Sequence, residues 1–137
     1  MTKTCHIKDI IQCAYQEAML LGHRYVGTKH ILLGLLREGG SIQILANLGI
    51  DLNWARQAVR KQTPNHTDLK PVRGQLPITI RARRILDNAT KEARLQGCDD
   101  PDNVHVLMAL LKDANSASAK ILNPMGITYD TFKHTIA

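Results

Sequence analysis

Apolar residues recur along most of this chain at spacings of three and four, the period of helices with one buried face. The first such stretch covers residues 4–21, with Ile7, Ile10, Ile11, Ala14, Ala18 and Leu21 as its stripe. Gly22 suits the left-handed position that ends a helix. After the loop at 23–27, Thr28 is placed to cap a second helix running to Glu38, with Ile31, Leu32, Leu35 and Leu36 as a single buried face. Ser41 opens a short third helix through Ile44, Leu45 and Leu48, stopped by Gly49. Asp51 caps a fourth carrying Leu52, Ala55, Ala58 and Val59, with Trp54 one turn before Ala58.

The period breaks over 62–77, which holds Pro64, Pro71, Gly74 and Pro77 and little to bury; this reads as a linker or long surface loop. Thr79 then caps a fifth helix to about Gln96, with Ile85, Leu86, Ala89, Ala93 and Leu95, and Gly97 ends it. Asp102 or Asn103 starts a sixth with Val106, Leu107, Leu110 and Leu111. Ser116 opens a seventh through Ile121 and Leu122; Pro124 and Gly126 end it, and Thr128 starts the last.

The two halves match. Gly22 and Gly97 are 75 positions apart, and the same shift carries Ile10-Ile11 to Ile85-Leu86, Ala14 to Ala89, Glu17-Ala18 to Glu92-Ala93 and Leu20 to Leu95. It also carries His30-Ile31-Leu32 to His105-Val106-Leu107 and Leu35-Leu36 to Leu110-Leu111. Two further positions bring Ile44-Leu45 onto Ile121-Leu122 and Leu48-Gly49-Ile50 onto Met125-Gly126-Ile127. The expected fold is all-α: two four-helix repeats related by a pseudo-twofold axis, about eight helices packed as one domain. Repeat one covers 1–61, the linker 62–78 and repeat two 79–137. Each unit is small for independent stability, so the two pack together.

Composition agrees with helices. One Trp, one Phe and three Tyr leave a core of Leu, Ile, Ala and Val. No apolar run approaches the roughly 20 residues that span a bilayer, and the opening M-T-K-T-C-H-I-K-D lacks the apolar core of a signal peptide. The cytoplasm is the default location. Cys5, Cys13 and Cys98 are odd in number and without paired-ligand spacing, so they read as reduced thiols. The net charge is +6. Arg81, Arg83, Arg84, Lys91 and Arg94 form a basic block, either a solvated helix face or an attraction for an anionic partner. The aromatic interleaving of single-strand binders is missing.

The candidate chemistry is thin. Gly22-x4-Gly27-Thr28-Lys29 has the outline of a phosphate-binding loop, but there Lys must precede the hydroxyl residue and a strand must precede the loop. Six histidines invite a metal, yet His23 and His30 are separated by a loop and no paired-ligand motif accompanies them. The recurrence of His30 as His105 fits a ring that hydrogen-bonds to the loop at a helix start. No catalytic set, metal site or cofactor site is assigned, and the chain reads as a binding module.

G-H-R-Y-V-G-T-K-H-I-L-L-G-L-L-R-E-G closely resembles the signature of the Clp N-terminal repeat, found at the front of ClpC- and ClpA-type AAA+ unfoldases. The duplication, the Gly after each third helix and Thr79-x-Arg81-Ala82 fit as well. The resemblance implies a domain with no ATPase activity of its own. Such a domain sits on the unfoldase ring, in cis or in trans, and receives adaptors or substrates for ATP-dependent proteolysis by the ClpP peptidase. It also implies, for ClpC-type members, phosphoarginine recognition: a Glu in each G-T-E-H holds the guanidinium, and Thr and basic groups at the first helix of each repeat approach the phosphate. Here the glutamate positions are Lys29 and Val104, which repel a guanidinium or offer it no acceptor. The phosphate side is partly kept, as Thr4 and His6 in the first unit and Thr79 and Arg81 in the second. The candidate binding residues are therefore Thr4, His6, Lys29, Thr79 and Arg81, facing a carboxylate or plain phosphate of a partner, with a simply solvated Lys29 as the other reading.

The function this supports is a non-catalytic, protein-binding Clp N-type module. The alternatives are a freestanding regulatory accessory protein of a Clp protease and a small basic helical protein that binds nucleic acid through residues 81–94. A thiol enzyme is the weakest reading, because the cysteines' spacing lends it no support. The chain carries no Walker motif, so ATP hydrolysis is not expected of it.

Overall fold

A computed structural model describes residues 7–37, 49–62, 76–95, 97, 103–113 and 115–136. Seven α-helices stand among them: α1 (Ile7–Leu20), α2 (Thr28–Arg37), α3 (Leu52–Gln62), α4 (Ile80–Leu95), α5 (Asn103–Lys112), α6 (Ala117–Leu122) and α7 (Tyr129–Ile136). A 3₁₀ turn, Asn123–Met125, follows α6. The helix expected over 41–48, and most of the linker, lie outside the described residues.

The starts follow local chemistry. Asp51 Oδ1 accepts the Trp54 N–H at 2.8 Å, and Thr79 Oγ1 accepts that of Ala82 at 3.1 Å. Ser116 Oγ accepts from Ala119 at 3.1 Å, and Thr128 and Thr131 exchange side chain-to-backbone bonds at 3.2 and 2.8 Å. Each satisfies an amide that the helix itself leaves open. The stops recur. Gly22 and Gly97 have φ of 76° and 79°, and Gly49 and Gly126 have 75° and 82°, all in the left-handed region. Gly22 and Gly97 each donate at 3.0 Å to the carbonyl three residues back, Met19 or Arg94.

The core is one cluster drawn from both halves, with Ile10, Ile31, Leu35, Ile85, Leu107, Leu110 and Phe132 among its fully enclosed side chains. α2 and α5 are its centre. Spacing predicts one buried face for α2, but every residue from Thr28 to Leu35 is buried, including the off-stripe Leu33. The reason is tertiary: α1, α3, α4, α5 and α6 all pack on α2. A second expectation also fails: Leu95, counted with the apolar residues of this helix, is 82% exposed, because two residues after Ala93 and six after Ala89 it points away from the buried face.

Gly34 sets the closest approach. A Cβ on it would stand 2.4 Å from the carbonyl oxygen of Ile10 and 2.8 Å from the amide of Ala14, so α1 lies on α2 where only glycine fits. The halves are joined by a short parallel bridge between Val26 and Ile78. Val26 donates to the Pro77 carbonyl at 2.8 Å and accepts from the Thr79 N–H at 2.9 Å.

Candidate docking site

The bridge positions the predicted residues. It fixes Thr79, the cap of α4, against the loop that enters α2. The loop is held by a set of hydrogen bonds. Gly27, not Thr28, caps α2: its carbonyl accepts from His30 and Ile31, both at 3.1 Å, and its N–H donates to His30 Nδ1 at 2.9 Å. Thr28 is the first helical residue instead, and its carbonyl accepts Ser118 Oγ at 2.5 Å, tying α2 to α6. His30 does what a glutamate at that position commonly does, returning a bond to the cap amide.

That bond also fixes the proton. His30 Nδ1 accepts, so in the neutral ring Nε2 carries the hydrogen and donates it to His23 Nδ1, 2.6 Å away. Burial pushes His30 down to about 3, aided by the charges of His23 and Lys29. The ring stacks edge-on against Tyr25, at 5.5 Å between centroids. The expected structural role of His30 is what the geometry gives. Among the described residues no group of three His, Cys, Asp or Glu side chains is arranged to hold a metal.

Lys29 is not solvated. It is 5% exposed, with its ammonium 5.2 Å from the centroid of the Tyr25 ring. An ammonium in the first turn opposes the helix dipole, and the ring face offsets part of that cost. Arg81 is exposed, and its Nη1 lies 3.1 Å from both carboxylate oxygens of Asp113. Ile80, Arg81, Arg84, Asp113 and Asn115 line a shallow cleft at this point. Thr79 is engaged as a cap, while Thr4 and His6 lie outside the described residues. The basic block of α4 is solvent-facing at Arg81, Arg83, Arg84, Lys91 and Arg94 alike.

Sequence reasoning missed a buried carboxylate. Glu17 of α1 is fully enclosed and accepts from Arg37 of α2 at 2.8 Å and from Arg56 of α3 at 2.6 and 2.7 Å. Burial pushes its carboxyl up, but the hydrogen bonds from Arg56 and Arg37 and their charges outweigh this and hold it below the usual range. A signal was present: Glu17 falls three residues after Ala14 and seven after Ile10, on the face that must be buried. In the second half Glu92 and Lys112 hold the matching places, 3.7 Å apart and partly exposed.

A duplicated helical core with capped loops and basic outer helix faces defines an all-helical repeat domain. The family model "Clp repeat (R) N-terminal domain" matches residues 3–100, and the chain belongs to that family. It is 37% identical over 119 residues to the chloroplastic chaperone protein ClpC1 of Oryza sativa subsp. japonica, covering 85% of this chain and 13% of that protein. It is 34% identical over 126 residues to the probable ATP-dependent Clp protease ATP-binding subunit of Chlamydia pneumoniae, covering 90% of this chain and 15% of that one. Among solved structures it resembles the N-terminal domain of the caseinolytic protease associated chaperone ClpD from Arabidopsis thaliana. That likeness has a TM-score of 0.74 at 23% identity and covers 91% of this chain and 85% of that one. The chain thus spans about one-seventh of the length of the curated relatives it matches. No described helix is long and apolar enough to cross a membrane.

Proposed function

We propose that this chain is a non-catalytic docking module that receives adaptors or substrate proteins for a Clp unfoldase ring, in cis or in trans, and thereby for the ClpP peptidase. The supporting observation is the family match over 3–100 together with relatives whose names are those of Clp ATP-binding subunits. The units are 1–61 and 79–137 with a linker between, a division supported by the paired left-handed glycines. The cytoplasm fits a chain with no membrane-crossing helix among its described residues.

The anion-facing part of the site centres on Arg81. It already holds one carboxylate, that of Asp113, at the mouth of the cleft. Thr4, His6, Lys29 and Thr79 complete the set of candidate contacts, with Lys29 acting through its buried charge and not by direct reach. A partner's carboxylate or phosphate displaces Asp113. Lys29 and Val104 provide no acceptor for a guanidinium, so phosphoarginine is not the ligand. Calorimetric titration with phosphoarginine tests this directly, and micromolar affinity would refute it. Affinity purification with the whole chain, read for a Clp ATPase subunit or its degradation substrates, tests the function.

A second reading, binding to nucleic acid, is favoured by one observation: five cations of α4 face solvent. Generic duplex DNA binding that weakens steeply with salt would support it.

A further inference from the structure

The two halves differ where their first and second helices meet. In the first half Gly34 lets α1 close onto α2, and Glu17 is sealed beneath two arginines. In the second half Ala109 stands in the place of Gly34. The Cβ that Gly34 excludes is present there, so α4 cannot approach α5 as α1 approaches α2. Between them a cavity of about 200 Å³ opens, lined by Asn88, Lys91, Glu92, Leu95, Met108, Ala109, Lys112 and Tyr129.

The chemistry of this groove is mixed in a definite way. Met108 is buried on its floor, while Leu95 projects from its edge at 82% exposure. Lys91 and Lys112 stand on the rim. The ammonium of Lys112 is 3.7 Å from Glu92 and 6.0 Å from the Tyr129 ring centroid, a loose arrangement in which it stays 60% exposed. Arg94 adds a further exposed cation one residue before Leu95.

We propose that this groove docks a short acidic peptide segment of a protein partner. One large apolar side chain of the peptide enters between Leu95 and Met108, and flanking carboxylates meet Lys91 and Lys112. The cavity volume suits a single side chain, not a whole helix. Charge complementarity selects an acidic segment, since cations outnumber the one carboxylate in the lining. A second copy of this chain is disfavoured, because a two-fold contact would set the same lysines against each other. Nucleic acid offers no apolar side chain for the cavity. The inference rests on the reading of the chain as a protein-docking module and locates one of its contacts.

The test is fluorescence anisotropy of the whole chain with a labelled short peptide of glutamates around a single leucine, beside the same peptide with lysines in place of the glutamates. The acidic peptide should bind and the basic one should not. Leu95→Asp and Lys91→Glu should each weaken binding by about tenfold, the scale of an anchoring contact. Leu20→Asp, the matching change in the first half, should leave binding unchanged. All three positions are exposed, and an unchanged melting temperature verifies the fold. The proposal is overturned if the acidic peptide does not bind or if Leu20→Asp is as damaging as Leu95→Asp. It is also overturned if Leu95→Asp acts only by abolishing self-association in sedimentation. If the peptide fails while the chain still captures a Clp ATPase subunit, the groove is wrong and the docking function stands. If the peptide binds by these rules and no such subunit or substrate is captured, the groove stands and the function falls.

Discussion

Glu17 and Arg56, 39 residues apart in sequence, share two hydrogen bonds of 2.6 and 2.7 Å at a site where the carboxylate has no access to solvent. Arg37 adds a third at 2.8 Å, so one buried charge holds α1, α2 and α3 together. Such a group is costly to leave uncompensated, whereas its partners, each about a third exposed, can turn to water.

Arg56→Ala should therefore destabilise the chain by about 3 kcal/mol, near the lower end for breaking a buried pair, since Arg37 remains. In the second half Glu92→Ala should cost less than about 1 kcal/mol, because its pair with Lys112 is long and partly hydrated. Urea denaturation of both variants measures the contrast. Equal losses would show that the first-half cluster is no more than a surface pair.

Gly34→Ala should cost about 3 kcal/mol or more, at the upper end for overpacking, because the new methyl meets backbone atoms that cannot rotate away. The reverse change at the matching place, Ala109→Gly, should cost only about 1 kcal/mol, the helix-propensity difference. Thermal melts of the pair report the difference in how closely the two helix pairs approach.

His30 predicts a pH dependence. Its folded value, about 3, lies below the ordinary 6.5, so between these values the unfolded chain binds the proton and the folded chain does not. Stability is then full above pH 6.5 and falls as pH drops towards 3, by at most about 1.4 kcal/mol per pH unit for one such group. Glu17 is also held below its ordinary 4.5, so its contribution is present above that pH and is lost only below it. The window from 6.5 to 4.5 separates the two. Denaturation midpoints should already fall there in the native chain and should fall less in His30→Gln. An identical slope in both would remove His30 from the account.

Asp113→Asn removes the charge that Arg81 now holds. Binding of inorganic phosphate near Arg81, followed by chemical-shift changes at 80–84, should strengthen several-fold, as expected when an exposed opposing charge of modest worth is deleted. Arg81→Ala should erase those changes in either background. Shifts that persist without Arg81 would place the anion elsewhere.

Much of the fold is legible from sequence because its determinants are local. Asp51, Thr79, Ser116 and Thr128 cap where the polar-to-apolar transition places them, and Gly22, Gly97 and Gly126 follow helical turns because only glycine takes that backbone turn without strain. The repeat was legible for the same reason, since its markers are spacings and turn residues. The site was less so. Thr79 and Arg81 sit where a helix start was expected, but their engagement with Ala82 and Asp113 depends on folded partners.

What the sequence determined by itself was the placing of the seven described helices, most of their described ends, and the family the chain belongs to. What only tertiary structure decided was the fate of residues whose neighbours come from far along the chain. Lys29 is enclosed instead of solvated, Gly27 rather than Thr28 closes the helix start, and Glu17 becomes the hub of three helices. Periodicity reports which face of a helix is apolar. It does not report how many other helices arrive on that face, and burial is set by that arrival.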